Sequence, residues 1–160
     1  QNIIKKSLKK FSGVQRRMTK IFTKNNNDFY DDYAHHPTEI TSILDSVKNV
    51  YNDRKLISVF EPHRYSRVLS LKNEFAKSFV KSDIVILCPL YAAGEKKNSK
   101  FNQLNFARLI SKMSQTQVIS IKNQNELEKY FKKNLKKNEL IIGMGAGLIS
   151  KWMRGLKLVL

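Results

Sequence analysis

From Phe29 onward the chain alternates short apolar runs with longer stretches whose apolar residues recur every three or four positions. The first pattern reads as buried strands and the second as helices with one inward face. Strands are predicted at residues 29–32, 56–60, 84–88, 118–121 and 140–142, and helices at 38–51, 66–80, 104–113, 126–131 and 147–154. In the first helix Ile40, Ile43, Leu44, Val47 and Tyr51 share a face; in the second, Val68, Leu71, Phe75 and Phe79 do. Strict alternation of strand and helix predicts an α/β fold, a mostly parallel sheet with helices on both faces. Before Phe29 the pattern is different. Ile4, Leu8 and Phe11 have helical spacing and Gly13 ends that helix, residues 16–22 read as extended, and 24–28 as a polar turn. A boundary is expected between residues 22 and 23.

In a parallel sheet, ligands bind beyond the carboxyl ends of the strands. The chemically unusual residues fall there: Asp31-Asp32-Tyr33-Ala34-His35-His36-Pro37 after the first strand, Pro62-His63-Arg64-Tyr65-Ser66-Arg67 after the second, Tyr91-Ala92-Ala93-Gly94-Glu95 after the third and Gly143-Met144-Gly145-Ala146-Gly147 after the last. The opposite strand ends carry ordinary turns, such as Asn52-Asp53-Arg54. Asp32 at a strand end suits the paired hydroxyls of a ribose; a turn cap is the structural alternative for either aspartate. Arg64 and Arg67, three apart where a helix begins, can converge on one carboxylate or phosphate. An ion pair with Glu61 or Glu95 is their structural alternative. The Gly-x-Gly-x-Gly turn serves phosphate contact or tight strand-to-helix packing equally well, and no G-x-x-x-x-G-K-[ST] cradle is present. His35, His36 and His63 do not have zinc-ligand spacing, so no metal site is expected.

Composition adjusts this picture in three ways. The 160 residues carry 30 Lys+Arg against 13 Asp+Glu, a net charge of +17. That charge favours anionic ligands, and a basic nucleic-acid-binding α/β module is the alternative of another class. The lysines are scattered and the aromatics fall mostly at core positions, which favours solvated faces over a nucleic-acid groove. The single Cys88 lies inside an apolar run and reads as a buried hydrophobe in a reducing compartment. No run approaches the length of a membrane span, and the first ten residues are no signal peptide, so a cytoplasmic protein is expected. The missing initiator Met and the helix already under way at Gln1 indicate a piece of a longer chain.

Residues 31–40, Phe60-Glu61-Pro62-His63-Arg64-Tyr65-Ser66-Arg67, Tyr91-Ala92-Ala93-Gly94-Glu95 and Gly145-Ala146-Gly147, in this order and spacing, resemble the C-terminal domain of the Mur ligases of peptidoglycan synthesis, in their alanine-adding branch. Phe11-Ser12-Gly13-Val14-Gln15-Arg16-Arg17-Met18 resembles the segment that joins the central ATPase domain to it. The resemblance implies a Rossmann-like domain over residues 23–160, with 1–22 the end of the central domain and the linker. It implies ATP-dependent ligation of L-alanine to UDP-N-acetylmuramate through an acyl phosphate, with Mg2+ held on the central domain and no activity in this piece alone. Carried over by motif, Arg17 contacts the ATP phosphates and stabilises transferring charge, and Asp32 holds the ribose. Tyr33, His35, Arg64 and Arg67 bind alanine. A recycling relative that attaches a ready-made tripeptide has a similar 31–38 stretch and is the nearest alternative. Two positions depart from the family pattern: Leu148 stands where a polar residue is usual, and Glu61 where Gln is common.

Overall fold

The computed structural model describes residues 15–160. The helix expected around Ile4, Leu8 and Phe11 and its stop at Gly13 lie outside the described residues. Six strands form one sheet in the order β1-β2-β6-β3-β4-β5: β1 Thr19–Lys24, β2 Asn27–Asp32, β3 Lys55–Phe60, β4 Ile84–Leu87, β5 Gln117–Ser120 and β6 Glu139–Met144. All neighbours are parallel except β1, which pairs antiparallel with β2. The helices are α1 Pro37–Val50, α2 Tyr65–Ser70, α3 Lys72–Lys77, α4 Gln103–Ser114, α5 Gln124–Asn134 and α6 Ile149–Val159.

Each face of the sheet has its own core. Ile40, Leu44 and Val47 of α1, Val68, Phe75 and Phe106 cover one face against Leu56, Phe60 and Ile142. Leu127 and Phe131 of α5 and Ile149, Met153 and Leu156 of α6 cover the other against Ile57, Val59 and Ile141. The strands therefore alternate which face they turn inward on, as the period of two requires. The expected α/β class, with a mostly parallel sheet and helices on both faces, is what forms. After β5 the chain returns across the second face through α5 and inserts β6 between β2 and β3. Strand order reverses at β6, and in folds of this class the ligand crevice lies beyond the carboxyl ends of the strands at such a point.

Two elements differ from the sequence reading. The extended segment and polar turn before residue 28 are a hairpin. Asn25 and Asn26 at φ 51° and 61° make its two-residue turn, which requires positive φ at both positions and which Asn tolerates. Phe22 and Phe29 stack across the strands at 4.2 Å. The boundary expected between residues 22 and 23 thus falls inside β1. The helix expected over 66–80 is broken at Leu71, which takes φ −116° and ψ 26°. The Ser70 hydroxyl there shares the Arg67 carbonyl with the Leu71 amide, at 3.1 and 3.0 Å.

Candidate functional site

The loops after β2, β3, β4 and β6 meet at the crevice. The Glu61 amide donates to the Met144 carbonyl at 2.9 Å and the Gly145 amide to the Asp32 carbonyl at 3.3 Å, so the β6 loop is tied to both flanking strands. Glu61, 3% exposed, then fills the turn itself: its two carboxylate oxygens accept from the amides of Gly147 and Leu148, both at 2.9 Å. The amides at the start of α6 therefore already hold an internal anion. Burial pushes the Glu61 carboxyl up, against the pull of these amides and of Arg16. Gly147 has no room for a side chain, because a Cβ would lie 2.5 Å from Cγ of Tyr91 and 2.6 Å from Oε1 of Glu61. Of the two readings of the glycine turn, close packing is the one the geometry explains. Leu148 enters the contact only through its backbone amide, so the loss of a polar side chain there costs this bond nothing.

The two adjacent aspartates are both buried and do different work. Asp32 accepts from the Ala34 amide on one oxygen and from the Met18 amide on the other, each at 2.7 Å. Asp31 accepts from the Ser150 hydroxyl at 2.5 Å and from Arg154 at 3.3 Å. Its other oxygen stands 3.7 Å from Nε of Arg16, and neither of those two buried atoms has a hydrogen-bond partner. Arg16 also donates to the Gly145 carbonyl and lies 4.8 Å over the Tyr33 ring. Arg17 is exposed, 5.9 Å from the same ring. Sequence reasoning singled out Arg17 and passed over Arg16. The only signal was that two arginines adjoin, and nothing local says which one turns inward.

Facing this cluster is a row of rings. Tyr33 and His35 are 5.1 Å apart by centroid, His35 and His63 5.6 Å, and His63 and Tyr91 5.6 Å. His35 is set by the Tyr33 carbonyl, 2.9 Å from Nδ1, and by Glu39, whose carboxylate accepts from the amides of His35 and His36 at 2.9 and 3.1 Å. Glu39 thereby closes the N-terminus of α1, with Pro37 at its first position. His36 serves this helix start and stands outside the ring row. Arg67 reaches Nδ1 of His63 at 3.4 Å. Burial, then the charges of Arg67, His35 and Arg64, lower the His63 pKa, which favours the neutral ring that accepts from Arg67.

Arg64 is exposed and, among the described residues, has no ion-pair or hydrogen-bond partner for its guanidinium. The alternative of a pair with Glu61 or Glu95 does not form, since Glu61 is on the glycine turn and Glu95 accepts from the Ser66 amide and hydroxyl at 3.1 and 2.5 Å. Arg64 sits at φ 67° and ψ 129°, a region sparsely used by non-glycine residues and concentrated at functional sites. The structure thus brings Tyr33, His35, Arg64 and Arg67 to one wall, with His63 and Tyr91 added. It sets Asp32 and Arg17 on the side where residues 16–18 enter. Among the described residues no three His, Cys, Asp or Glu side chains stand together as a metal seat.

A doubly wound sheet with arginines and imidazoles grouped beyond its switch point defines an α/β domain of the class that places its ligand sites at the carboxyl ends of its strands. Residues 16–147 match the model of the Mur ligase family, glutamate ligase domain, and the chain belongs to that family. It is 51% identical over 156 residues to a UDP-N-acetylmuramate–L-alanine ligase of Pelagibacter ubique, an alignment that covers 98% of this chain and 34% of that protein. The crystal structure of a UDP-N-acetylmuramate-alanine ligase from Thermotoga maritima matches at a TM-score of 0.74 and 26% identity, over 96% of this chain and 31% of that one. A murein peptide ligase from Psychrobacter arcticus shares the fold at a TM-score of 0.74 and 23% identity, over 96% of this chain and 32% of that one. The chain spans about a third of the length of the relatives it matches.

Proposed function

We propose that this chain is the C-terminal domain of a cytoplasmic, ATP-dependent ligase that joins L-alanine to UDP-N-acetylmuramate in peptidoglycan synthesis. The observation that carries the reading is the wall of Tyr33, His35 and His63 with Arg64 and Arg67 rising beside it. Two guanidiniums three residues apart at the start of α2 suit the paired oxygens of an α-carboxylate. A neutral His63 fixes Arg67 without competing for the anion, and His35 and Tyr33 line the place where the rest of a small amino acid lies. ATP activates the lactyl carboxylate as an acyl phosphate, and the alanine amine displaces phosphate to form the amide. This domain's part in that sequence is to bind and orient the amine's carrier.

Arg17, exposed on the entry side, would meet the phosphates and stabilise the transferring charge. Asp32 would hold the ribose, and since both its oxygens already accept backbone amides, the ribose must share it with Ala34 and Met18 or displace one of them. In this reading the phosphate cradle and the magnesium ligands lie on the central domain expected before β1. The chain alone is therefore inactive in this reading.

The test is ADP release and amide formation by the full-length enzyme supplied with ATP, UDP-N-acetylmuramate and either L-alanine or the L-alanyl-γ-D-glutamyl-diaminopimelate tripeptide. Turnover with alanine is expected. Turnover with the tripeptide and none with alanine would assign the chain to the recycling branch instead. Alanine-dependent ATP hydrolysis by the 160-residue chain alone would overturn the division of labour between domains.

A further inference from the structure

The motif Tyr91-Ala92-Ala93-Gly94-Glu95 has no part in the reaction above, yet it grips the arginine loop at both ends. The Tyr91 amide donates to the Pro62 carbonyl at 2.8 Å and the Arg64 amide donates to the Tyr91 carbonyl at 2.9 Å, which makes a one-residue parallel bridge between His63 and Tyr91. Four residues on, Glu95 accepts from the amide and hydroxyl of Ser66. Between these holds the loop turns through Ala93 and Gly94 at φ 49° and 86°. Arg64, caught between the two grips, keeps its unusual backbone because its neighbours on either side are held.

The Tyr91 side chain has a separate consequence. Its ring is 37% exposed and stacks on His63 at an interplanar angle of 24°. Behind it lies Gly147, so close that a Cβ there would come to 2.5 Å of the ring. The ring is braced from behind by backbone and from the side by an imidazole. It cannot swing back into the protein, and through His63, whose Nδ1 accepts from Arg67 at 3.4 Å, it stands next to the arginine pair. Interiors this tightly packed do not yield by small adjustments.

We propose that Tyr91 is the specificity-determining residue of the amino-acid site, a fixed wall beside the Arg64–Arg67 clamp that leaves room only for a small side chain. The proposal rests on reading that clamp as the seat of an α-carboxylate. With the carboxylate held by the two arginines at the start of α2, the substrate side chain has few directions to take. A braced ring rejects bulk by overlap, and selection by the size of an apolar pocket is of modest strength.

The experiment is competition between L-alanine and L-valine in the full-length enzyme, for wild type, Tyr91→Phe, Tyr91→Leu and Tyr91→Ala, with the KM for ATP as a control. The ratio of kcat/KM for valine over alanine should stay within about twofold of wild type in Tyr91→Phe and rise by about tenfold or more in Tyr91→Ala, with Tyr91→Leu between. The KM for ATP should not move. Discrimination that stays at the wild-type ratio across the series overturns the proposal while leaving the alanine reading intact. An inactive Tyr91→Phe overturns it too, because Phe keeps the ring. If Tyr91→Ala alone is inactive, the Leu variant decides. A wild-type enzyme that adds no alanine sinks the functional reading itself, which the series would then show separately.

Discussion

The carboxylate of Glu61 lies 2.9 Å from the amide of Gly147, eighty-six residues away in the chain, and closes the turn that starts α6. Removing it in Glu61→Ala leaves the two amides at the start of α6 without this acceptor, and urea denaturation should show a loss of about 1–3 kcal/mol. Gly147→Ala should cost about 1–3 kcal/mol as well, since its methyl group would overlap Tyr91 and Glu61. Because burial raises the Glu61 pKa, the folded state holds this proton more tightly than the unfolded one. The Glu61 contribution is therefore most favourable at acid pH and declines as pH rises through the folded value. Glu61→Gln should remove that decline, and unfolding curves from pH 4 to 7 would show it.

Arg64→Gly separates stability from binding. The backbone at φ 67° and ψ 129° costs a non-glycine residue about 1–3 kcal/mol, and glycine gives back roughly 0.5–1 kcal/mol of that in unfolded-state freedom. The variant should be as stable as wild type or more so, while the full-length enzyme loses affinity for alanine. A clear drop in the urea midpoint would show that Arg64 is under no strain.

Arg16 and Arg17 should behave oppositely despite being neighbours. Arg16→Ala strips the buried Asp31 of a partner and the Gly145 carbonyl of a donor, and should cost about 1–3 kcal/mol of stability. Arg17→Ala, on the surface, should leave stability within about 0.5 kcal/mol of wild type. In the full-length enzyme it should lower kcat by about 10²–10³-fold if the charge steadies phosphate transfer. Thermal melts on the chain and turnover on the enzyme give the two readouts.

At the opposite edge of the sheet, Asp28 is held by Arg54 and Lys20, each at 2.5 Å, and by the Thr23 hydroxyl at 2.7 Å. Burial pushes its carboxyl up, but these bonds prevail and hold it well below the usual carboxylate range. A depressed folded pKa means stability that is fully present above the unfolded value, about 3.9, and lost as pH falls below it. Asp28→Asn should flatten acid unfolding in that range. A double-mutant cycle with Arg54→Met should return a coupling of about 0.5–3 kcal/mol.

Much of the domain was legible because the signals are local. Periods of two and of three or four mark where Ile57, Val59, Ile40 and Leu44 must be buried, and the ionisable residues left over gather at the strand ends. What was not legible depended on partners far away in the chain. The hairpin of β1 needed a register between two weak signals, the polar run at Asn25 and Asn26 and a short extended stretch. The break at Leu71 left no mark in the apolar spacing, which runs from Val68 through Leu71 to Phe75. Asp31 and Asp32 looked equivalent as neighbours, yet alternation across a strand sends them to different partners, Arg154 on α6 and the Met18 amide.

The amino-acid order by itself determined the element types, the class of the sheet and the edge at which the polar chemistry gathers, since each follows from side-chain periodicity along one strand or helix. Only the tertiary structure decided that β6 lies between β2 and β3, that Glu61 occupies the glycine turn, that Arg16 and not Arg17 turns inward, and that Tyr91 stands braced beside His63. Those facts rest on hydrogen bonds and close contacts between residues distant in sequence, which local pattern cannot encode.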